Sequence, residues 1–262
     1  MTELGRYAVR LATGAAELVR SHPAGRSRIA TKSTGTDLVT EVDRASERWL
    51  VEQITSDRPG DAVLGEEGGE RTGTTGVRWV VDPIDGTVNF VLGIPAYAVS
   101  VAAEVAGAVV AGAVCNPVTG EVFHAVRGGG AFLGATRLGG PRDVALERAV
   151  IGTGFGYDAA MRERQGVVAA QVLPRVGDLR RIGSAALDLC AVAAGRLDGY
   201  FEAGLNPWDR AAGELIAQEA GCVVIGLRGG APGPALVVAS GTGLAPALTA
   251  LLDALGADRV LA

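Results

Sequence analysis

The chain has 262 residues, 48% of them hydrophobic, which suits one large domain or two packed halves with a substantial core. Its 29 acidic and 24 basic residues give a net charge of −5, which argues against a nucleic-acid polyanion as the main partner. Three widely spaced cysteines (Cys115, Cys190, Cys222) in apolar surroundings read as reduced core residues, and two isolated histidines (His22, His124) remove most zinc, Ser-His and Cys-His chemistry.

Apolar positions at helical spacing (Leu4, Val9, Leu11, Ala15, Leu18, Val19) predict an amphipathic helix over residues 3–20. No compact apolar run leads to a small-residue cleavage site there, and with the cysteines this points to a cytoplasmic protein. A loop with Pro23 and Gly25 follows. Thr40 is the expected N-cap of a helix over residues 42–56, with Asp43 placed for a capping box. Residues 62–64 predict a short strand ending at Gly65-Glu66-Glu67. In an extended chain the two glutamates face opposite ways, so only one can meet a site at that strand end. Residues 70–76, polar and rich in Gly and Thr, read as a mobile loop, and Glu67 as a solvated charge.

Residues 79–90 read WVVDPIDGTVNF. Trp79-Val80-Val81 is a buried strand, expected to end at Asp82 because Pro83 has no amide hydrogen for a ladder. Gly86 allows a turn, and a short helix starts near Thr87 with free amides at its first turn. Asp82 and Asp85 therefore converge beside a helix start. Carboxylates suit a hard cation such as Mg²⁺, and free amides suit a phosphate oxygen. A plain strand, turn and helix cap accounts for the same residue types. Counted from Asp82, the Gly and Glu of an EF-hand loop are missing, and the chain has no Gly-Lys-Ser/Thr of a Walker A loop.

Three antiparallel strands follow, at residues 97–104, 109–115 and 121–126. Glu104 and the Ala106-Gly107 junction make this apolar stretch a strand pair rather than a membrane span. A turn and strand occupy 128–133, and Gly139 to Arg148 is a candidate boundary. It separates an α+β half, 1–142, from a half at 143–262 in which strands and helices alternate. That second half reads as a strand at 149–152, helices at 158–173 and 183–194, a strand at 198–202 and a helix at 207–220 carrying Asp209 in its first turn. Strands at 222–225 and 235–239 and a helix at 243–255 complete it. Gly152 to Gly156 is only weakly similar to a dinucleotide-binding loop, and Arg180-Arg181 ahead of the 183–194 helix suits an anionic ligand.

Residues 79–90, with Leu64-Gly65-Glu66-Glu67 upstream and Asn206-Pro207-Trp208-Asp209-Arg210-Ala211-Ala212-Gly213 downstream, resemble the signature blocks of the inositol monophosphatase family. The resemblance runs from about Leu38 to the last helix. It implies a layered α-β-α-β-α sandwich of the inositol monophosphatase and fructose bisphosphatase type, in the α+β and α/β classes. It also implies a phosphoric monoester hydrolase with two or three Mg²⁺ ions, a homodimer and inhibition by lithium. The expected reaction is direct in-line attack by a metal-activated water, because uncatalysed phosphate monoester hydrolysis is exceptionally slow.

By the same resemblance, Glu66, Asp82, Asp85 and the Ile84 carbonyl would be metal ligands, with Asp209 completing a second ion's site. Thr87 and Glu66 would orient the nucleophilic water, and the Gly86 and Thr87 amides would hold phosphate oxygens. Ser184, Ala185 and Glu202 would face the polyol, with Asp85 and Asp209 also touching substrate. Lys32 and Asp43 would support the site from nearby. On residue type alone, Asp209 is equally a helix-start acid, Ser184 an N-cap, Ala185 a packing residue, Glu202 a strand-end charge, Asp43 a cap and Lys32 a solvated loop residue.

The run Thr87-Val88-Asn89-Phe90, together with Glu202, resembles the inositol monophosphatase branch, which makes inositol monophosphate the expected substrate. Fructose bisphosphate, NADP, adenosine bisphosphate and histidinol phosphate are the alternatives, the last opposed by Val88 where histidinol phosphatases more often carry Lys. A catalytically silent, metal-binding regulatory protein would be expected to lack a ligand, and all the block positions are filled. The expected partner is thus a small phosphate monoester, not a membrane or a nucleic acid.

Overall fold

The computed structural model describes residues 1–22, 29–31 and 38–260. Helix α1 (Glu3–Ser21) is followed by an antiparallel pair, β1 (Ile29–Thr31) and β2 (Leu38–Thr40), and by α2 (Glu41–Asp57). The capping box forms: the Thr40 hydroxyl accepts from the Val42 and Asp43 amides, and Asp43 Oδ2 accepts the Thr40 amide at 2.9 Å. Next come β3 (Ala62–Gly65), β4 (Gly69–Arg71), β5 (Val77–Asp85), α3 (Thr87–Leu92), β6 (Ala98–Val105), β7 (Ala108–Cys115), β8 (Val122–Val126), β9 (Gly130–Leu133) and β10 (Thr136–Arg137). Strands β3 to β10 form one eight-stranded sheet, ordered β10-β9-β8-β7-β6-β5-β3-β4, antiparallel except between β3 and β5.

The chain continues as β11 (Val150–Thr153), α4 (Ala159–Val172), β12 (Asp178–Arg180), α5 (Ala185–Ala193), β13 (Gly199–Glu202), α6 (Pro207–Glu219), β14 (Val223–Ile225), β15 (Val237–Ser240) and α7 (Ala245–Ala254). These strands form a five-stranded sheet ordered β12-β11-β13-β15-β14, parallel among its first three strands and antiparallel beyond.

The period-two alternation of the strands builds the layers. Trp79 and Val81 of β5, with Val99, Val101 and Ala103 of β6, face Leu11, Ala15, Val19, Leu50 and Ile54 of α1 and α2. Val80, Ala98 and Ala102 face the other way, onto Leu189 of α5 and Leu215 and Ile216 of α6. Those helices also cover Tyr200, Val237 and Ala239 of the second sheet. The far face of that sheet, with Ile151, Phe201 and Val238, packs on Val168, Val172, Leu248 and Leu252 of α4 and α7. The result is the α-β-α-β-α sandwich. Both sheets are covered on both faces, so their central strands are apolar almost throughout. No helix among the described residues is long and apolar enough to cross a membrane, and the three cysteines are free and buried.

Two local expectations are corrected. The polar stretch at 70–76 begins as strand: Glu70 and Arg71 pair with Leu64 and Val63, and edge pairing overrides composition. Strand β5 does not stop at Asp82. Asp82 pairs with Ser100 and Asp85 with Ala98, three residues against two, so Pro83 and Ile84 sit in a bulge. The extra residue reverses the alternation. Asp82 and Asp85, three apart, therefore lie on the same face as Val80 and Ala98, toward α5 and α6.

The start of β5 is fixed by Asp61, whose buried carboxylate accepts from Trp79 Nε1 (2.9 Å), Arg58 Nε (2.5 Å) and Thr75 Oγ1 (2.6 Å). Burial pushes this carboxyl up, but the Thr75, Arg58 and Trp79 hydrogen bonds and the Arg58 charge outweigh it and leave the pKa lowered. Asp61→Ala strands a buried indole N–H and is expected to cost about 2–4 kcal/mol in urea unfolding at pH 7. The cost should shrink as pH falls through the lowered Asp61 pKa, where the wild type loses the same contribution. An unchanged unfolding midpoint at pH 7 would contradict this account.

Candidate active site

One cavity of about 300 Å³ opens where the two sheets meet the ends of α5 and α6. Glu66, Asp82, Ile84, Asp85, Gly86, Thr87, Ser184, Ala185, Glu202 and Asp209 all line it, although they come from five separate segments. Asp43 lies behind Thr87, and Lys32 falls outside the described residues. Glu67 faces a different groove and is half-buried rather than solvated.

Each acid is held by its own element. Gly86 takes φ +98° to turn β5 into α3, and a Cβ there would stand 3.0 Å from the Ala96 and Gly183 carbonyl oxygens. Asp82 Oδ1 accepts the Ile84 amide across the bulge at 3.0 Å. Asp85 Oδ2 accepts the Ser184 hydroxyl (2.6 Å) and the Ala186 amide (2.7 Å), so the first turn of α5 clamps it. Ser184 thus lines the cavity with its proton already committed to Asp85. Asp209 Oδ2 accepts the Asn206 amide at 2.6 Å, closing the first turn of α6. On the other side, the buried Glu47 carboxylate accepts the Glu67 and Gly68 amides, pinning the turn that carries Glu66.

Asp82, Asp85 and Asp209 each present a carboxylate oxygen, all within 4.8 Å of one another. Burial raises the Asp82 carboxyl well above the usual range, and the charges of Glu66, Asp85 and Asp209 raise it further. Burial and then the Asp85 charge do the same to Asp209, against the pull of the Asn206 amide. Asp85 is pushed by burial to about 6, less far because Ser184 and the α5 amides stabilise its charge. Carboxylates this close resist ionising together. A divalent cation relieves that repulsion, and an all-oxygen donor set is the one that suits Mg²⁺. Glu66 lies within hydrogen-bonding reach of Asp82 and extends the set.

Thr87 is aligned for a different task. Its hydroxyl lies 2.9 Å from Asp43 Oδ1 and 3.1 Å from the Ile84 carbonyl oxygen. With the proton on Asp43, its lone pairs are free to accept from a water. Asp43 therefore serves both as the α2 cap and as the acceptor for Thr87.

Sequence reasoning named Glu202 but missed the glycines and the second acid packed around it. Gly152 and Gly154 make room for acids: a Cβ at Gly152 would sit 2.8 Å from Asp188 Oδ1, and one at Gly154 1.9 Å from Glu202 Oε2. Gly152 lies inside β11, in line with the strand expected at 149–152. Glu202 is pushed by burial to about 7, opposed by the Tyr200 hydroxyl at 2.6 Å and by the Arg181 charge. Asp188, 1% exposed, rises to about 9 through burial and the Glu202 and Asp85 charges. Helix α5 is buried all round except at Leu187, so spacing did not mark Asp188; the available signal was a lone acid in an otherwise apolar helix. Phe155, Tyr157, Met161 and Arg181 complete the rim.

The protein is thus a five-layer α/β sandwich whose seam carries a buried acidic cluster able to take a cation. A model of the inositol monophosphatase family matches residues 1–260, and the chain belongs to that family. It is 50% identical to inositol-1-monophosphatase of Mycobacterium leprae, covering 93% of this chain and 91% of that one. It is 40% identical to the Nus factor SuhB of Escherichia coli K12 over 85% of each chain. The solved structure of Mycobacterium tuberculosis SuhB superimposes with a TM-score of 0.84 at 46% identity, covering 98% of both chains.

The raised carboxyl pKa values predict a pH effect. Folded Asp85 holds a proton up to about pH 6, whereas the unfolded chain releases it near 3.8. Between those values the folded state binds more protons, so stability falls as pH rises. Cation-free protein is therefore expected to melt lower at pH 7 than at pH 5, and Mg²⁺ is expected to remove most of the difference. Equal melting temperatures with and without Mg²⁺ at pH 7 would contradict the cation assignment.

Proposed function

We propose that this protein hydrolyses a phosphate monoester with the help of Mg²⁺, inositol monophosphate being the substrate the site fits best. The observation that supports this most is the convergence of Asp82, Asp85 and Asp209 beside the first amides of α3, in one pocket that also holds Glu202. Asp82, Asp85, Asp209, Glu66 and the Ile84 carbonyl would hold two or three ions. Bound there, Mg²⁺ would supply Lewis-acid chemistry, offsetting the phosphate charge and acidifying the attacking water.

The chain's own groups do the positioning. Thr87, with its proton on Asp43, accepts a hydrogen bond from the incoming water and aims a lone pair at phosphorus, with Glu66 on the other side. The Gly86 and Thr87 amides receive phosphate oxygens, since the first turn of α3 has no carbonyls of its own to bond them. Glu202 and the Ala185 end of α5 face the alcohol, where Glu202, held by Tyr200, accepts from hydroxyl groups. Ser184 acts through Asp85, fixing that carboxylate toward the cation position. Association as a homodimer and inhibition by lithium belong to the same reading.

A second reading follows from the relatives named Nus factors: a regulatory role alongside or in place of turnover. The complete set of carboxylates favours catalysis.

Phosphate release from inositol monophosphate, fructose bisphosphate, adenosine bisphosphate, NADP and histidinol phosphate separates these readings. Inositol monophosphate is expected to give the highest kcat/KM, dependent on Mg²⁺ and reduced by lithium. Thr87→Ala is expected to lower kcat about 10²-fold, with KM nearly unchanged. Turnover of another ester alone would discard the substrate while keeping the chemistry. Mg²⁺ binding with no turnover of any ester would favour the regulatory reading.

A further inference from the structure

The sequence places Arg180 and Arg181 side by side, and the structure gives them different fates. Arg180 ends β12 and is ion-paired with Asp178 on the surface. Arg181 lines the cavity and makes neither a hydrogen bond nor an ion pair among the described residues. It is also the only basic residue among the described residues lining that cavity, against six carboxylic acids. Arg58, Arg78, Arg196, Arg210 and Arg228 are all ion-paired by contrast.

Its position is set by Gly183, whose φ is +97° and where an added Cβ would fall 2.4 Å from Arg181 Nη1. The guanidinium thus packs over the turn that leads into α5, on the side that carries Ser184. The Asp85, Asp188 and Glu202 carboxyls all feel its charge. Glu202 does not neutralise it by an ion pair and instead takes the Tyr200 hydroxyl. A guanidinium offers a planar fork of donors matched to phosphate or carboxylate oxygens, and here the fork has no acceptor among the described residues.

The phosphate to be hydrolysed is assigned to the α3 amides and the Asp82 cluster. An anion meeting Arg181 is therefore a second one, on the alcohol half. We propose that Arg181 is a specificity-determining contact that, between two phosphate esters alike in their alcohol frame, favours the one carrying a second oxyanion on that frame. This rests on the phosphatase reading and widens its substrate class beyond inositol monophosphate, without displacing that ester from the site.

Matched substrate pairs test it, each differing by one anionic group: fructose 1,6-bisphosphate against fructose 1-phosphate, and 3-phosphoglycerate against glycerol 3-phosphate. In Arg181→Gln the kcat/KM ratio of the doubly anionic ester to its partner is expected to fall about tenfold, through KM. Arg181→Lys is expected to restore part of it, and salt to shrink the wild-type ratio. A fall in the first pair alone identifies the second anion as phosphate, and in the second pair alone as carboxylate. Unchanged ratios in both pairs, or equal losses on both members, would overturn the proposal. Calorimetric binding of fructose 1,6-bisphosphate to wild type and Arg181→Gln decides independently of turnover. If no ester is hydrolysed the phosphatase reading fails, while about tenfold weaker binding in the variant sustains Arg181 and equal binding overturns it.

Discussion

Three carboxylates with oxygens within 4.8 Å of one another, in a largely buried cavity, are the constraint this structure is built around. Burial favours the protonated form of each, and together they repel. The chain accepts that cost at one place and fixes the acids from behind. The Ile84 amide holds Asp82, the start of α5 holds Asp85, and the Asn206 amide holds Asp209. Such outer contacts orient donors toward a common point and keep them from collapsing onto other partners.

The architecture explains how acids so far apart in sequence meet. Helices α5 and α6 are sandwiched between the two sheets, and both present their N-terminal turns to the seam. Helix starts favour negative charge, so those ends stabilise Asp85 and Asp209 where they meet. The bulge in β5 supplies the remaining piece by bringing Asp82 and Asp85 to one face. Without the extra residue, one of them would point into the α1–α2 core beside Val81 and Val99.

What could be read beforehand was local. The spacing of α1, the Thr40–Asp43 cap, the Ala106-Gly107 hairpin and Pro207 at the start of α6 depend on neighbours in sequence. The family blocks also marked residues that the structure gathers into one cavity. What escaped depends on partners distant in sequence. Pro83 reads as a strand end, yet the ladder resumes at Asp85 because β6 stays alongside. The polar Glu70-Arg71 segment is a strand because β3 offers it an edge. Gly152 and Gly154 carry no local mark of a partner, but acids from α5 and β13 occupy the space their missing side chains leave. The split between Arg180 and Arg181 follows from the turn at Gly183, which no propensity encodes.

The central claim is that the Asp82–Asp85–Asp209 cluster is a cation site rather than a set of protonated structural acids. Anomalous diffraction from crystals soaked in Mn²⁺, a stand-in for Mg²⁺ with a measurable signal, tests it most directly. The account predicts a strong peak among the carboxylate oxygens of these three residues at neutral pH, lost in Asp82→Asn crystals treated alike. A map with no peak in the cavity, or with peaks only on surface acids, would contradict it.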